Sequence, residues 1–435
     1  RLMDFIRLYC SVERVYTGEK RISEVILDTA VTQGVKLPQP KEKTQLDAVK
    51  EYLAKVAREN GYHHKFQLWM PVLKDHIYLD EFEQFRKNKY ENGAWKEQDN
   101  VEKIKFVIGK MDDPENQNQM PLSIDLIQDG HISIFGNIVS GKSTMMQTIA
   151  YALMNSYTPE RVNMYALDFS SKMMSAFEEA PHFGGVMYEN DADKIGKFFN
   201  MISMMLEERK ELFRGGNFKQ YLQVHGAVLP AIVIFVDNYS AFKEKTAEIY
   251  EDDMIRLSKE GVSHGIYLII SGTGIGMNDV TSRVAENINT VLCLALADKY
   301  AYGDLLHSMQ IEVMPEASVK GRGLAYYGER ILEYQTALAL EAENDYQRLE
   351  RIKEECMEMR NCWIGKMAKP IPEIPKEPVW SRFVELPEYL ELAHSKEYVP
   401  VGYDQSNAEI YNISLRNIYC YLICGTQRSG KTNFM

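Results

Sequence analysis

HISIFGNIVSGKS, residues 131–143, decides the fold. An apolar, β-rich run leads into the pattern G-x-x-x-x-G-K-[ST], and helix-forming residues follow from Lys142. Strand, glycine-rich loop and helix in that order make a phosphate-binding loop. The glycines let the backbone across Gly136, Asn137, Ile138, Val139, Ser140, Gly141, Lys142, Ser143 and Thr144 turn its N–H groups onto phosphate oxygens. Lys142 then neutralises the β- and γ-phosphates, and the Ser143 hydroxyl is placed to ligate a magnesium ion. ATP and Mg²⁺ are the ligands this motif implies.

Outward from the loop, strand-sized apolar runs alternate with helical stretches. HISIF is followed by a helix from Lys142, VNMYALD by a helix near 191–213, AIVIFVD by a helix near 246–260, and then come GIYLIIS and TVLCLAL. Near-continuous apolar strands interleaved with helices predict an α/β fold of the RecA-like P-loop NTPase type: a mainly parallel sheet with helices on both faces. Upstream, TQLD caps an amphipathic helix carrying Leu46, Val49, Leu53 and Val56, which Gly61 closes. LWMPVL (68–73) and a charged segment (81–103) follow, and residues 105–126 read as strand, loop, strand.

The AIVIFVD run delivers Asp237 to the carboxyl edge of the sheet, where an acid holds magnesium through water; Ser143 and Asp237 form the expected metal pair. Asn238 stands next, where ATPases of this type carry a glutamate that polarises the attacking water. An amide orients a water but does not accept its proton at neutral pH. Slow or absent hydrolysis is therefore expected, with Lys142, Asp237, Asn238 and Thr273 as the catalytic set. A second match to the phosphate-loop pattern, GTQRSGKT (Gly425, Thr426, Gln427, Arg428, Ser429, Gly430, Lys431, Thr432), follows the strand-like run IYCYLIC. The chain ends before that copy acquires a metal-associated carboxylate, so the copy is expected to be inert or disordered.

Prolines 370, 372, 375 and 378 crowd one short stretch, favour extended backbone and mark a boundary. The expected organisation is an unassigned segment at 1–43, one ATPase module at 44–367, a proline-rich linker at 368–380, and the start of a second, incomplete module at 381–435. Opening on Arg1 and closing inside a motif, the chain reads as an internal piece of a larger protein.

Composition narrows the function. The net charge of −12 opposes non-specific attraction to nucleic acid, and the apolar runs fall short of the ~18 residues of a membrane span. Cysteines 10, 293, 356, 362, 420 and 424 lack zinc-site spacing and are expected as buried, reduced thiols. His63 and His64 have no third ligand nearby. Methionines cluster at 145–146, 173–174 and 201–205, a pattern that suits core filling or an adaptable groove, and residues 345–360 read as a solvated helix face.

LWMPVL, MDDPENQNQMPLSIDL before the phosphate loop, LDFSSK (167–172), MLEERKELF (205–213), VFVDN and GRGLAYY (321–327) together resemble the FtsK/SpoIIIE-type ATPases. The likeness is closer to the EssC/EccC family of type VII secretion ATPases, over residues 44–435, as a middle module plus the start of the last one. The resemblance implies tandem ATPase modules in the cytoplasm, a membrane anchor upstream of Arg1, and a homo-oligomer in the full-length protein. It implies as partners small secreted helical-hairpin proteins, other type VII membrane components and neighbouring modules. Two departures from the family pattern bear on turnover: Asn238, and GTGIGMND after Ser271 in place of a Thr-Gln-Arg-Pro sensor loop, which leaves Thr273 to sense the γ-phosphate without a glutamine. Arg209 is expected either to reach a neighbouring module or to form an exposed helix salt bridge, and Arg322 in its tight GRG loop to act between subunits. A DNA translocase of the same superfamily and a nucleotide-binding scaffold are the alternatives; the acidic balance and the lack of a basic stripe disfavour DNA.

Overall fold

The computed structural model describes residues 45–61, 70–91, 93–96, 101–375, 377–395, 397–405, 407–416 and 420–434. The expectations placed on 1–43, Cys10, His63, His64 and the tryptophan of LWMPVL lie outside them. The chain divides into two compact units, Arg1–Trp69 and Met70–Met435. In the first, helix α1 (Gln45–Glu59) ends as its sequence predicts, with Gly61 at φ +67°.

The second unit is built on a ten-stranded sheet ordered β2-β1-β10-β9-β8-β3-β7-β6-β4-β5. Its strands are β1 (Lys105–Asp113), β2 (Asn118–Asp125), β3 (Ile132–Phe135), β4 (Val162–Asp168), β5 (Phe183–Met187), β6 (Ala231–Asp237), β7 (Ile266–Gly272), β8 (Thr290–Leu294), β9 (Arg322–Tyr327) and β10 (Arg330–Thr336). From β8 through β3, β7, β6 and β4 to β5 all pairings are parallel. From β8 outward through β9, β10, β1 and β2 they are antiparallel. A separate hairpin pairs β11 (Tyr398–Tyr403) with β12 (Ile410–Ser414).

Strand period 2 explains why the central runs are apolar throughout. In β6, Ala231, Val233 and Phe235 join a core with helix α2 (Lys142–Ser156) and with α7 (Asp345–Cys362), through Ile149 of the former and Ile352 and Cys356 of the latter. Ile232, Ile234 and Val236 join the opposite core, with α3 (Ala192–Phe213), α5 (Tyr239–Lys245) and α6 (Glu251–Glu260), through Phe198, Phe242 and Met254. The short helix α4 (Phe218–His225) follows α3 after a glycine turn. The expected helix near 246–260 begins only at Glu251, because Ala247 and Glu248 adopt positive φ and break the run after α5.

Residues 368–375 of the proline-rich segment form neither helix nor strand, and they pack onto this unit. Ala368 N–H donates to the Pro181 carbonyl (2.9 Å) and Ile371 N–H to that of Gly184 (3.1 Å), so the segment covers the exposed edge of β5. A side chain at Gly184 would meet the Lys369 carbonyl at 2.4 Å, which fixes glycine there. The cysteine expectation changes in part, and the core-filling reading of the methionine clusters holds for most of them. Cys293 and Cys356 are buried, but Cys362, at the end of α7, and Cys420 and Cys424, before the second loop, are exposed. Met145, Met146, Met174 and Met201 fill the core, whereas Met204 faces outward.

His131, just before β3, ties that strand to β7: its Nδ1 accepts from Leu268 N–H (2.8 Å), and its Nε2 lies 3.1 Å from the Ser258 carbonyl. An Nδ1 that accepts carries no proton, and burial holds the ring's pKa down at about 4. His182, Nε2 2.7 Å from the Tyr157 carbonyl, is likewise pushed down to about 4 by burial. Unfolded, both titrate near 6.5, so between these values the unfolded chain binds more protons and stability falls as pH drops. Denaturant unfolding is expected to lose about 2 kcal/mol per histidine between pH 7 and pH 5, and a flat profile would refute the assignment.

Candidate functional site

β3 ends at Phe135, and the loop that follows turns through Val139 at φ +65° and Gly141 at φ +107° before α2 begins at Lys142. The glycines are steric requirements. A side chain at 136 would meet Ser140 Oγ at 2.5 Å, and one at 141 would meet the Gly321 nitrogen at 3.1 Å. Asn137 N–H donates to the Ala295 carbonyl (2.9 Å), and Gly321 N–H to that of Ser140 (2.9 Å), so the end of β8 and the approach to β9 hold the loop in place. Helix α2 has no side-chain cap, which leaves its first-turn N–H groups, with Ser143 and Thr144, directed at the loop's interior. Lys142 Nζ donates to the carbonyls of Gly136 (2.6 Å) and Asn137 (2.9 Å). Burial lowers its pKa, opposed by the charges of Asp237 and Asp279. Ile138 and Val139 form the exposed tip.

Parallel pairing of β3 with β7, and of β7 with β6, carries the remaining groups to the same carboxyl edge. Asp237, almost wholly buried, accepts from Ser271 Oγ at 2.6 Å through Oδ1, while its Oδ2 is buried with no protein partner. An orphaned carboxylate oxygen at this depth fits a hydrated cation, and with Ser143 it supplies the oxygen donors magnesium prefers. Asp168, in register with Asp237 on β4, was not singled out in the sequence. Its carboxylate accepts from the N–H groups of Ser170, Lys172 and Met174, shaping the turn beside the site, and burial raises its pKa.

Asn238 caps α5: its Oδ1 accepts from Ser240 N–H (3.2 Å) and Ser240 Oγ (2.9 Å). Thr273 follows β7, and both its N–H and its hydroxyl donate to Asp279, which sequence reasoning also missed.

The second loop has the form of the first. Arg428 (φ +65°) and Gly430 (φ +86°) repeat the turn of Val139 and Gly141, and Lys431 Nζ donates to the carbonyls of Gly425 (2.8 Å) and Thr426 (2.6 Å). The expected strand before it is absent from residues 420–426, whose side chains are exposed. Among the described residues no strand pairs with this run, so it has no ladder to complete.

Both arginines are buried and bonded within the chain, so neither is an exposed salt-bridge residue. Arg209 is buried and donates to the carbonyls of His264 (2.6 Å), Gly265 (3.2 Å) and Pro230 (2.7 Å), closing the amino ends of β6 and β7. Burial pulls its pKa down to about 10, so it stays charged at neutral pH. Arg209→Met strands three carbonyls and is expected to destabilise the fold by about 3 kcal/mol in denaturant unfolding. Arg322 is buried too, donating to Gln335 Oε1 (2.9 Å) and the Leu73 carbonyl (2.8 Å) within this chain.

Residues 88–239 match the FtsK/SpoIIIE family. The chain is similar to the type VII secretion system protein EssC of Staphylococcus aureus (strain MRSA252), at 26% identity over 86% of this chain and 25% of the relative. It is similar to the ESX secretion system protein EccC of Geobacillus thermodenitrificans, at 29% identity over 75% of this chain and 22% of the relative. It thus spans about a quarter of the length of these relatives. Among solved structures, EssC ATPases 2 and 3 from Geobacillus thermodenitrificans superpose with a TM-score of 0.69 at 26% identity, over 84% of this chain and 66% of that one. Thermomonospora curvata EccC ATPases 2 and 3, solved with a signal sequence peptide, share the fold at a TM-score of 0.64 and 24% identity, over 80% and 62% of the two chains. The architecture is the RecA-like P-loop ATPase fold expected from the sequence. Among the described residues, no helix is long and apolar enough to cross a membrane.

Proposed function

We propose that this chain, which carries an FtsK/SpoIIIE domain over residues 88–239, is a nucleotide-binding module of a type VII protein-secretion ATPase that binds Mg-ATP and turns it over slowly or not at all. The observation that carries this reading is the pairing of an open phosphate loop at Lys142 with Asp237, whose buried Oδ2 has no protein partner. Gly136, Asn137, Ile138, Val139, Ser140, Gly141 and Thr144 supply backbone to the phosphates, and Lys142 leaves its two carbonyls to meet them. Ser143 and Asp237 hold the magnesium ion, which shields the phosphate charge. Asn238 orients but does not deprotonate a water, because an amide has no basic site at neutral pH and its Oδ1 is engaged by Ser240.

The likeness to EssC ATPases 2 and 3 supports 44–367 as one module, 368–380 as the linker, and 381–435 as the start of the next. Its second loop, Gly425 to Thr432, is the nucleotide loop of that next module. In the whole protein this module sits on the cytoplasmic side of a membrane anchor, beside sister modules and other secretion components, and its nucleotide state regulates export of small helical-hairpin proteins. The net charge of −12 argues against a duplex DNA substrate. Thermal unfolding with and without Mg-ATP, with phosphate release followed in the same samples, tests the reading. A raised melting temperature without phosphate is expected, and rapid release would overturn the role given to Asn238.

A further inference from the structure

The loop after β7 carries an anion of its own. Phe135 is in register with Gly272, so Thr273 is the first residue beyond the sheet next to the phosphate loop. Oδ2 of Asp279 accepts from Thr273 N–H (2.7 Å), from the Thr273 hydroxyl and from Gly274 N–H (2.8 Å), while Oδ1 accepts from Val280 N–H (3.0 Å). A side chain at 272 would meet Asp279 Oδ1 at 2.6 Å, so glycine is what admits the carboxylate. The loop is closed by Gly276 N–H on the Val280 carbonyl (2.9 Å) and anchored from α5 by Lys243 Nζ on the Met277 carbonyl (2.6 Å). Asp279 is 9% exposed, and its charge is felt at Lys142.

A hydroxyl has one proton to donate. With that proton given to Asp279, Thr273 turns only lone pairs toward an incoming γ-phosphoryl group, which also meets a buried negative charge behind the hydroxyl. A nucleoside diphosphate ends on the phosphate loop and Lys142 and does not extend to this position. We propose that Asp279 sets the nucleotide preference of the site, favouring a nucleoside diphosphate over the triphosphate for as long as it clasps Thr273. The inference rests on the reading of the Lys142 loop as a nucleotide site.

Calorimetric titration with Mg-ADP and Mg-ATP tests both separately. The wild-type chain is expected to bind ADP more tightly than ATP. In Asp279→Asn, which keeps an acceptor oxygen but removes the charge, the ATP-to-ADP affinity ratio is expected to rise about tenfold, with ADP affinity unchanged. Tighter ATP than ADP binding by the wild-type chain overturns the inference without any variant. So does a ratio that does not move in an Asp279→Asn chain binding ADP normally. Binding that is absent, or indifferent to Lys142→Ala, overturns instead the reading of the loop on which this one stands.

Discussion

Lys142→Ala abolishes the rise in melting temperature that Mg-ATP gives the wild-type chain. At a nucleotide concentration a hundredfold above Kd that rise corresponds to about 2.7 kcal/mol, and a variant that no longer binds shows none of it. The effect is confined to binding. In the free chain the ammonium is held by the carbonyls of Gly136 and Asn137, and Asn137 lies on the exposed side of the loop, so water replaces the lost donor. The fold itself should lose no more than about 1 kcal/mol. Lys431→Ala is the matched control, because Lys431 makes the equivalent two contacts in a loop beside which, among the described residues, no strand is paired. It should leave the shift intact; a shift that follows Lys431 instead would move the binding site to the second loop.

What the sequence made legible was local in origin. The loop at 136–143 and the apolar runs of β4, β6 and β7 declare themselves by spacing alone, because burial on both faces removes any need for polar alternation. β10, RILEYQT, does not declare itself: Leu332 and Tyr334 are buried on one face with Glu333 between them, and only pairing with β1 and β9, far off in the chain, makes it a strand. β9 and β10 were hidden for that reason, whereas β1 and β2, close in sequence, read as strand, loop, strand. The site divides the same way. Asp237 is named by its strand, but Asp279 matters through bonds to Thr273 and Gly274 that exist only once the loop has closed. Arg209 and Arg322 look like surface charges in sequence, and the carbonyls that bury them, Pro230 and Leu73 among them, come from other elements.

Asn238→Glu should turn a binding module into a hydrolysing one, raising the rate of phosphate release by a factor on the order of 10² to 10⁴, the range a placed general base contributes. The residue follows Asp237 directly, so a carboxylate there sits at the same sheet edge as Ser271 and the phosphate loop. The substitution has a structural cost. The Asn238 Oδ1 caps α5 through Ser240, and a longer glutamate caps poorly, at about 1 kcal/mol. Asn238→Asp separates the two effects, because aspartate caps as well as asparagine while placing a shorter base. Unchanged melting with a smaller gain in turnover is the result expected from it. If neither variant releases phosphate although both keep the Mg-ATP shift, the missing base is not what limits the site. The obstruction then lies at Thr273, whose only hydroxyl proton is already given to Asp279.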